Sequence, residues 1–274
     1  MPKAKKSTSQ LLVEVLKPDQ KPETQTTKKE AEPCHIGVIP QSTAPSFIED
    51  ANNLGEKTMS YATLIIGESG TGKTCSLRNL DPKKTLLIQP VRKPLPFRSA
   101  EWSECVFEKG NLVSGNIIVN SDPQRIMSAM TWSPFDVIVV DDWQYILATM
   151  FMNRRKEKGY DKFSDIGGAG FDIASLASQL GWNKRVYIIA HTMTDELGVT
   201  RVKTLGKMLD DKIVVEGMFT TVLRTHVENG TYQFSTQNSG NDTVKSPLGM
   251  FDQMYIDNDL NAVDQTICEY YGIK

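Results

Sequence analysis

Residues 63–74 read Thr-Leu-Ile-Ile-Gly-Glu-Ser-Gly-Thr-Gly-Lys-Thr, an apolar run that stops in a glycine-rich loop followed by a lysine and a hydroxyl residue. The spacing from Gly67 to Thr74 fits G-x-x-x-x-G-K-[ST]. Gly67, Gly70 and Gly72 carry no Cβ and tolerate positive φ, so successive backbone N–H groups can turn inward and cradle an anion. A phosphate chain is the anion this pattern predicts, bound along Gly67, Glu68, Ser69, Gly70, Thr71, Gly72, Lys73, Thr74 and Cys75. Lys73 supplies a point charge for the β- and γ-phosphates, and the Thr74 hydroxyl is a ligand for Mg²⁺. A helix expected over 74–80 aims its positive end at the same place. The plain alternative is a strand-to-helix turn that merely uses glycine, but a β-type run before the loop and a helix-compatible run after it are the context the motif requires.

With 274 residues the chain is long enough for one sizeable α/β domain plus appendages. No apolar stretch approaches the ~20 residues of a membrane span, and no apolar leader segment opens the chain. Cys34, Cys75, Cys105 and Cys268 form no C-x-x-C pair, and three histidines give no zinc spacing, so a reduced cytoplasmic setting is expected. The net charge of −2 lacks a global basic signature, and any nucleic-acid contact must come from a local patch.

Residues 1–35, rich in Lys, Thr, Gln, Pro and Glu, read as a disordered tail with one apolar island at 11–16. That island is either part of a flexible tail or a tether for a partner or neighbouring subunit. The folded domain is expected over 36–274, irregular as far as residue 60. Buried strands are predicted at 61–66, 85–89, 116–120, 135–140 and 186–190 from short apolar runs with turn residues around them. Helices are predicted at 74–80, from Asp122-Pro123 to about 131, from 143 to about 152, at 171–180 and at 257–271. The stretch 91–115 reads as surface wandering, 153–170 as a polar, glycine-rich link, and 192–211 as a long polar loop with a short helix near 205–209. Two β runs at 218–227 and 231–236 flank Asn229-Gly230, a hairpin signal. Continuous apolar strands separated by helices imply an α/β fold with a mainly parallel sheet covered on both faces, and the hairpin adds antiparallel strands near the C-terminus.

The strand at 135–140 ends in Asp141-Asp142, which places carboxylates at the C-terminal edge of the sheet. Asp141 is expected to hold Mg²⁺ opposite Thr74, the alternative being a cap for the next helix. Asp142 is the candidate to activate water; Gln89, at the end of a strand taken to lie beside the phosphate loop, can orient water but cannot take its proton. His191, after the strand at 186–190, is placed near the γ-phosphate or else makes only a local hydrogen bond. Arg201, Lys203, Lys207, Arg224 and Lys245 are candidates for a cation that offsets transition-state charge, Lys245 foremost among them. Arg154, Arg155 and Lys156, followed by Tyr160, form a local basic run beside an aromatic ring, suited to a phosphate backbone and a stacked base or, more plainly, a solvated helix end.

Taken together these residues resemble the RecA-like branch of P-loop ATPases, in particular ATP-binding proteins that bacteriophages carry among replication and recombination genes. The resemblance rests on Gly67 to Thr74, on Asp141-Asp142, on His191 and on the hairpin followed by Lys245-Ser246-Pro247-Leu248-Gly249-Met250, and it spans residues 61–251. It implies ATP and Mg²⁺ as ligands, single-stranded DNA as a partner, replication or recombination proteins as associates, and a homo-oligomer in a bacterial host's cytoplasm. It also matches the loop at 192–211, with Arg201, Lys203, Lys207 and Lys212, to a DNA-contacting loop, although Asp195, Glu196, Asp210 and Asp211 balance its charge. Members of the family usually carry a glutamate where this chain has Gln89. Three readings follow: a DNA-linked ATPase, a nucleotide-gated recruitment module that hydrolyses poorly, and another P-loop enzyme. A GTPase is disfavoured because no Asn-Lys-x-Asp motif occurs, and a small-molecule kinase would need a basic lid for which the loop after Pro90 is a weak candidate.

Overall fold

The computed structural model describes residues 59–108, 111–181, 183–205 and 213–273. The N-terminal tail with its apolar island, the irregular segment up to residue 58, the short helix near 205–209, and Lys207 and Lys212 lie outside the described residues.

Eleven strands and four α-helices follow one another through the described residues. The strands are β1 (Tyr61–Gly67), β2 (Thr85–Gln89), β3 (Val106–Glu108), β4 (Asn111–Ser114), β5 (Ile117–Val119), β6 (Val137–Val140), β7 (Arg185–Thr194), β8 (Thr200–Val202), β9 (Thr221–Glu228), β10 (Thr231–Ser235) and β11 (Tyr255–Asp257). The helices are α1 (Pro123–Trp132), α2 (Gln144–Asn153), α3 (Asp161–Leu176) and α4 (Leu260–Tyr271). The main sheet runs β11-β10-β9-β1-β7-β6-β2-β5, parallel from β9 to β5 and antiparallel through β10 and β11. Among the described residues no helix is long and apolar enough to cross a membrane.

Period-two alternation divides the apolar strands between two cores. Leu64, Ile66, Leu86, Ile88, Ile138 and Val140 meet Ile126 of α1, Ile146 and Leu147 of α2, and Ile166 and Ile173 of α3. Ile65, Leu87, Val139 and Ile189 point the other way, onto Leu77, Leu80 and Leu260, Val263 and Ile267 of α4. The doubly covered, mainly parallel sheet is the one the continuous apolar runs demanded.

Local signals set several ends as expected. Asp122 caps α1 by accepting from the Arg125 N–H at 3.0 Å, with Pro123 in the first turn. Asn229 and Gly230 take φ of 50° and 78° in the turn between β9 and β10.

Elsewhere the structure departs from the local reading. The predicted helix at 74–80 is a 3₁₀ turn, Thr74–Asn79, because Asp81-Pro82 leaves it six residues and the Ser76 hydroxyl takes the Lys73 carbonyl at 2.6 Å. The helix expected at 171–180 begins ten residues earlier, at Asp161, and ends at Leu176. Its glycines serve packing: a Cβ on Gly170 would stand 2.9 Å from Leu147 and Trp143, so a small residue lets α3 close on α2. The polar loop after residue 191 is instead a hairpin in its first part. Strand β7 continues to Thr194, Asp195 accepts from Leu197 and Val199 N–H at 3.0 and 2.9 Å, and β8 returns antiparallel. The stretch 91–115 contains the β3–β4 hairpin, and β11 extends the sheet where α4 alone was predicted.

One polar cluster ties α4 to the middle of the sheet. Arg185 donates through Nε and Nη2 to both Asp264 oxygens at 3.0 Å, and the buried Tyr187 hydroxyl donates to Asp264 Oδ1 at 2.5 Å. Removing the carboxylate strands a guanidinium and a phenol in a dry interface, so Asp264→Ala is expected to cost about 3–5 kcal/mol, read as a lower urea midpoint. A loss below about 1 kcal/mol would show that water replaces the carboxylate and that the cluster is not what fixes α4.

Candidate active site at the strand ends

The parallel register brings the singled-out residues together. Gly67 at the end of β1 pairs with His191 of β7, and β6, on the other side of β7, ends at Val140 beside Ile188. Asp141 and Asp142 therefore emerge one strand away from the glycine loop. A cavity of about 740 Å³ opens there, lined among others by Ser69, Gly70, Gly72, Lys73, Thr74 and Cys75 of the loop and by Lys93, Asp142, Tyr145 and His191.

The loop depends on glycine at three positions for two reasons. Gly70 and Gly72 have φ of 81° and 93°, a conformation that L side chains rarely adopt. Gly67 has an ordinary backbone, but a Cβ there would lie 1.8 Å from Thr225 Oγ1 and 2.9 Å from Thr71 Oγ1. Those two hydroxyls are themselves hydrogen-bonded at 2.6 Å, fastening the loop to β9. Lys73 is mostly buried and donates to the Gly67 and Glu68 carbonyls at 2.9 and 2.6 Å. Burial pulls its pKa below the ordinary lysine value, against the attraction of Asp142 and Asp141.

Thr74 Oγ1 lies 3.0 and 3.1 Å from the two oxygens of Asp141, which is almost fully buried. A hydroxyl and a carboxylate side by side suit Mg²⁺, which takes one or two protein oxygens and fills its octahedron with water and phosphate. Among the described residues no three His, Cys, Asp or Glu side chains gather into a closed metal site, so an ion here would depend on such outside oxygens. Burial first and the Asp142 charge second push the Asp141 carboxyl up to about 6, partly offset by Lys93 and Thr74.

Asp142 has φ of 65°, strained for a residue with a Cβ. The cause lies on either side: the Asp141 N–H bonds to Ile88 of β2, whereas the Trp143 N–H bonds to Ile189 of β7. Crossing from one neighbouring strand to the other within two residues forces the turn and points Asp142 into the cavity. Its Oδ1 lies 3.2 Å from His191 Nε2 and its Oδ2 accepts from Lys93 Nζ, which is also 3.5 Å from Asp141. Burial and then the Lys73 charge lower the His191 pKa, against the attraction of Asp142. The His191 backbone N–H bonds to Gln144 Oε1 at 3.1 Å, and the Tyr145 ring stands edge-on to the imidazole.

The remaining predicted residues are dispersed. Gln89 is buried on β2, which is separated from β1 by β7 and β6, so the expectation that its strand lies beside the phosphate loop is corrected; it lines a separate hollow with Arg92 and Trp102. Lys245 does not line the cavity: its backbone pairs with Val222 on β9, level with Leu64 and below the loop. Arg224 stands 3.9 Å from Asp242, and Arg201 is 3.3 Å from Asp195. Lys203 is exposed, and its N–H bonds to the His191 carbonyl at 2.7 Å. Arg154 is paired with Glu157 and Asp165 at 2.8 Å, whereas Arg155, Lys156 and Tyr160 are exposed in the link between α2 and α3. Lys93, Arg78, Tyr232 and Asn258 line the cavity without having been singled out from the sequence. Only topology reaches Lys93, since the loop holding it has no motif.

No protein-family model matches this chain, and no curated protein is significantly similar to it.

Two outcomes follow from the packing and the charge. Gly67→Ala is expected to destabilise the fold by about 2 kcal/mol or more, and adding Thr225→Ala to recover a good part of that loss, giving a positive coupling in a double-mutant cycle of urea unfolding. Strictly additive losses would place the clash elsewhere. For Asp141 the sign is set by a raised pKa: between roughly pH 4 and 6 the folded chain holds a proton that the unfolded chain has lost, so stability falls as pH rises through that window. Above it the ionised carboxylate is a standing cost on the order of 3 kcal/mol. Asp141→Asn should therefore melt higher than the parent at pH 7.5 in chelator, with the gap closing toward pH 5. A parent that melts higher at pH 7.5 would show that Lys93 and Thr74 more than offset the burial.

Proposed function

We propose that this chain is a P-loop protein of the RecA-like kind that binds ATP with Mg²⁺, hydrolyses it slowly, and couples the cycle to single-stranded DNA in phage recombination or replication, as a homo-oligomer. One observation carries the nucleotide part: Lys73, Thr74 and Asp142, distant in sequence, line one cavity, with Asp141 buried against Thr74, beside a loop whose glycines satisfy close contact and positive φ. That is the set that phosphoryl transfer requires: a cradle, a point charge, a metal anchor and a base. The DNA part rests on the family resemblance and on the exposed Arg155, Lys156 and Tyr160.

In this reading Lys73 leaves the Gly67 and Glu68 carbonyls for the β- and γ-phosphates, and the backbone N–H groups of residues 68–75 take the remaining oxygens. Thr74 and Asp141 are the residues that would hold Mg²⁺, which when bound would supply positive charge to offset that of the phosphates. Water attacks the γ-phosphorus in line, the bond to the β–γ bridging oxygen breaks, and ADP keeps that electron pair. Asp142 accepts the water proton and passes it to the departing phosphate, while His191 holds the carboxylate in place through Nε2. Both Asp142 oxygens already have partners, His191 and Lys93, which supports a slow basal rate.

The same observation favours a second reading, in which ATP gates recruitment and hydrolysis is negligible. Binding of a fluorescent ATP analogue, and ATP turnover with and without single-stranded DNA, separate the two. The ATPase reading expects micromolar Mg²⁺-dependent binding lost at least tenfold in Lys73→Ala, and turnover that rises with DNA only in the parent. Binding with turnover at background leaves the gated module. No difference between parent and Lys73→Ala in binding would sink the nucleotide site altogether.

A further inference from the structure

Lys93 has no part in the glycine-loop motif, yet it is the cation of the acidic pair. Its Nζ donates to Asp142 and stands 3.5 Å from Asp141, carboxylates that are 8% and 0% exposed. Although burial lowers its pKa, Asp141 and Asp142 together raise it above the ordinary value, so the group is a fixed positive charge at any physiological pH. A divalent ion held by Thr74 and Asp141 would stand in the same space, and two cations sharing one carboxylate repel strongly at that range. The ammonium has somewhere to go. Val91, Lys93 and Pro96 line the cavity that Lys73 and Thr74 also line, so a rotation of the four-carbon stem carries Nζ from the carboxylates toward that space without moving the loop. The loop itself is anchored, by Trp102 in the core, by the Phe97–Trp102 edge contact at 6.0 Å and by the Arg92–Glu104 ion pair.

We propose that Lys93 is a resident counter-ion of Asp141 and Asp142 that a divalent metal displaces onto the terminal phosphate of the bound nucleotide. This rests on the Mg²⁺–ATP reading of the site. Lys93 then does two things in one movement: it brings a cation to the phosphoryl oxygens from within the same chain, and it frees Asp142 Oδ2 to take a proton from water. The charge needed at the transition state comes in cis, and the metal switches the base on.

The test uses the full chain with Lys93→Gln and Lys93→Arg, both checked for a parent-like melting temperature. With a fluorescent ADP analogue, which has no γ-phosphate, the Mg²⁺ concentration for half-maximal binding is expected to fall at least fivefold in Lys93→Gln, since no cation has to be expelled. With a non-hydrolysable ATP analogue at saturating Mg²⁺, the preference of ATP over ADP is expected to shrink at least fivefold in the same variant and to be largely restored in Lys93→Arg. Turnover, where the parent shows it, falls at least tenfold and is not rescued by mixing with Lys73→Ala chains. An unchanged Mg²⁺ midpoint, an unchanged preference, or rescue on mixing overturns the proposal. Absence of any Lys73-dependent nucleotide binding in the parent is a different failure, that of the nucleotide reading, and it removes the proposal with it.

Discussion

Two adjacent, largely buried carboxylates at the end of β6 set the charge problem that the strand ends are arranged around. An ionised carboxylate loses several kcal/mol of hydration on burial, and a second one beside it adds repulsion. The fold answers with partners from three directions: the Thr74 hydroxyl from the loop after β1, the Lys93 ammonium from the loop after β2, and the His191 imidazole from β7. Thr74 and His191 reach Asp141 and Asp142 because β7 lies between β1 and β6, and Lys93 because β2 borders β6, so the site depends on strand order before it depends on any single side chain. Both protein cores serve that order, since each apolar strand is covered on both faces and cannot slip by one residue without turning its buried set outward.

What the sequence made legible was whatever chemistry is carried by near neighbours. The glycine loop, the Asp122-Pro123 cap, the Asn229-Gly230 turn and the apolar runs all state their conformation within a few residues, and each stands where it was read. Asp141 and Thr74 were paired through the motif's known mechanics, and they do meet. Lys93 was illegible because nothing near it distinguishes it from any lysine in a proline-rich loop; its role comes from β2 lying next to β6. Gln89 fails in the opposite sense. It is in order along the chain, but its strand is two places removed from β1 and its side chain lines another hollow. The start of α3 was missed because glycine argues against helix locally, whereas the contact of Gly170 with Trp143 and Leu147 is a long-range term that outweighs propensity.

The strain at Asp142 belongs to the same account. A residue with a Cβ at φ of 65° is costly, and the chain tolerates it because the preceding and following N–H groups are fixed to different strands. The local penalty is therefore held by sheet hydrogen bonds, which are the least adjustable part of the molecule. What it secures is direction: Asp142 is turned into the cavity while Asp141, one residue earlier, faces Thr74 from within the protein.

That division fits two carboxylates to two kinds of work. Asp141, walled in and raised toward pH 6, is a poor base in water but a strong anchor for a cation, because the ionised form gains most where nothing else solvates it. Asp142, at the cavity wall with His191 3.2 Å from one oxygen, has Lys93 as the partner of the other. In the cycle proposed above, Asp141 waits for a metal and Asp142 for the loss of a lysine. The two events are coupled by the 3.5 Å that separates Lys93 from Asp141, since a cation arriving at one carboxylate alters the hold on the other. Under the proposed function, nucleotide binding and activation of water would both be consequences of one shared positive charge changing position.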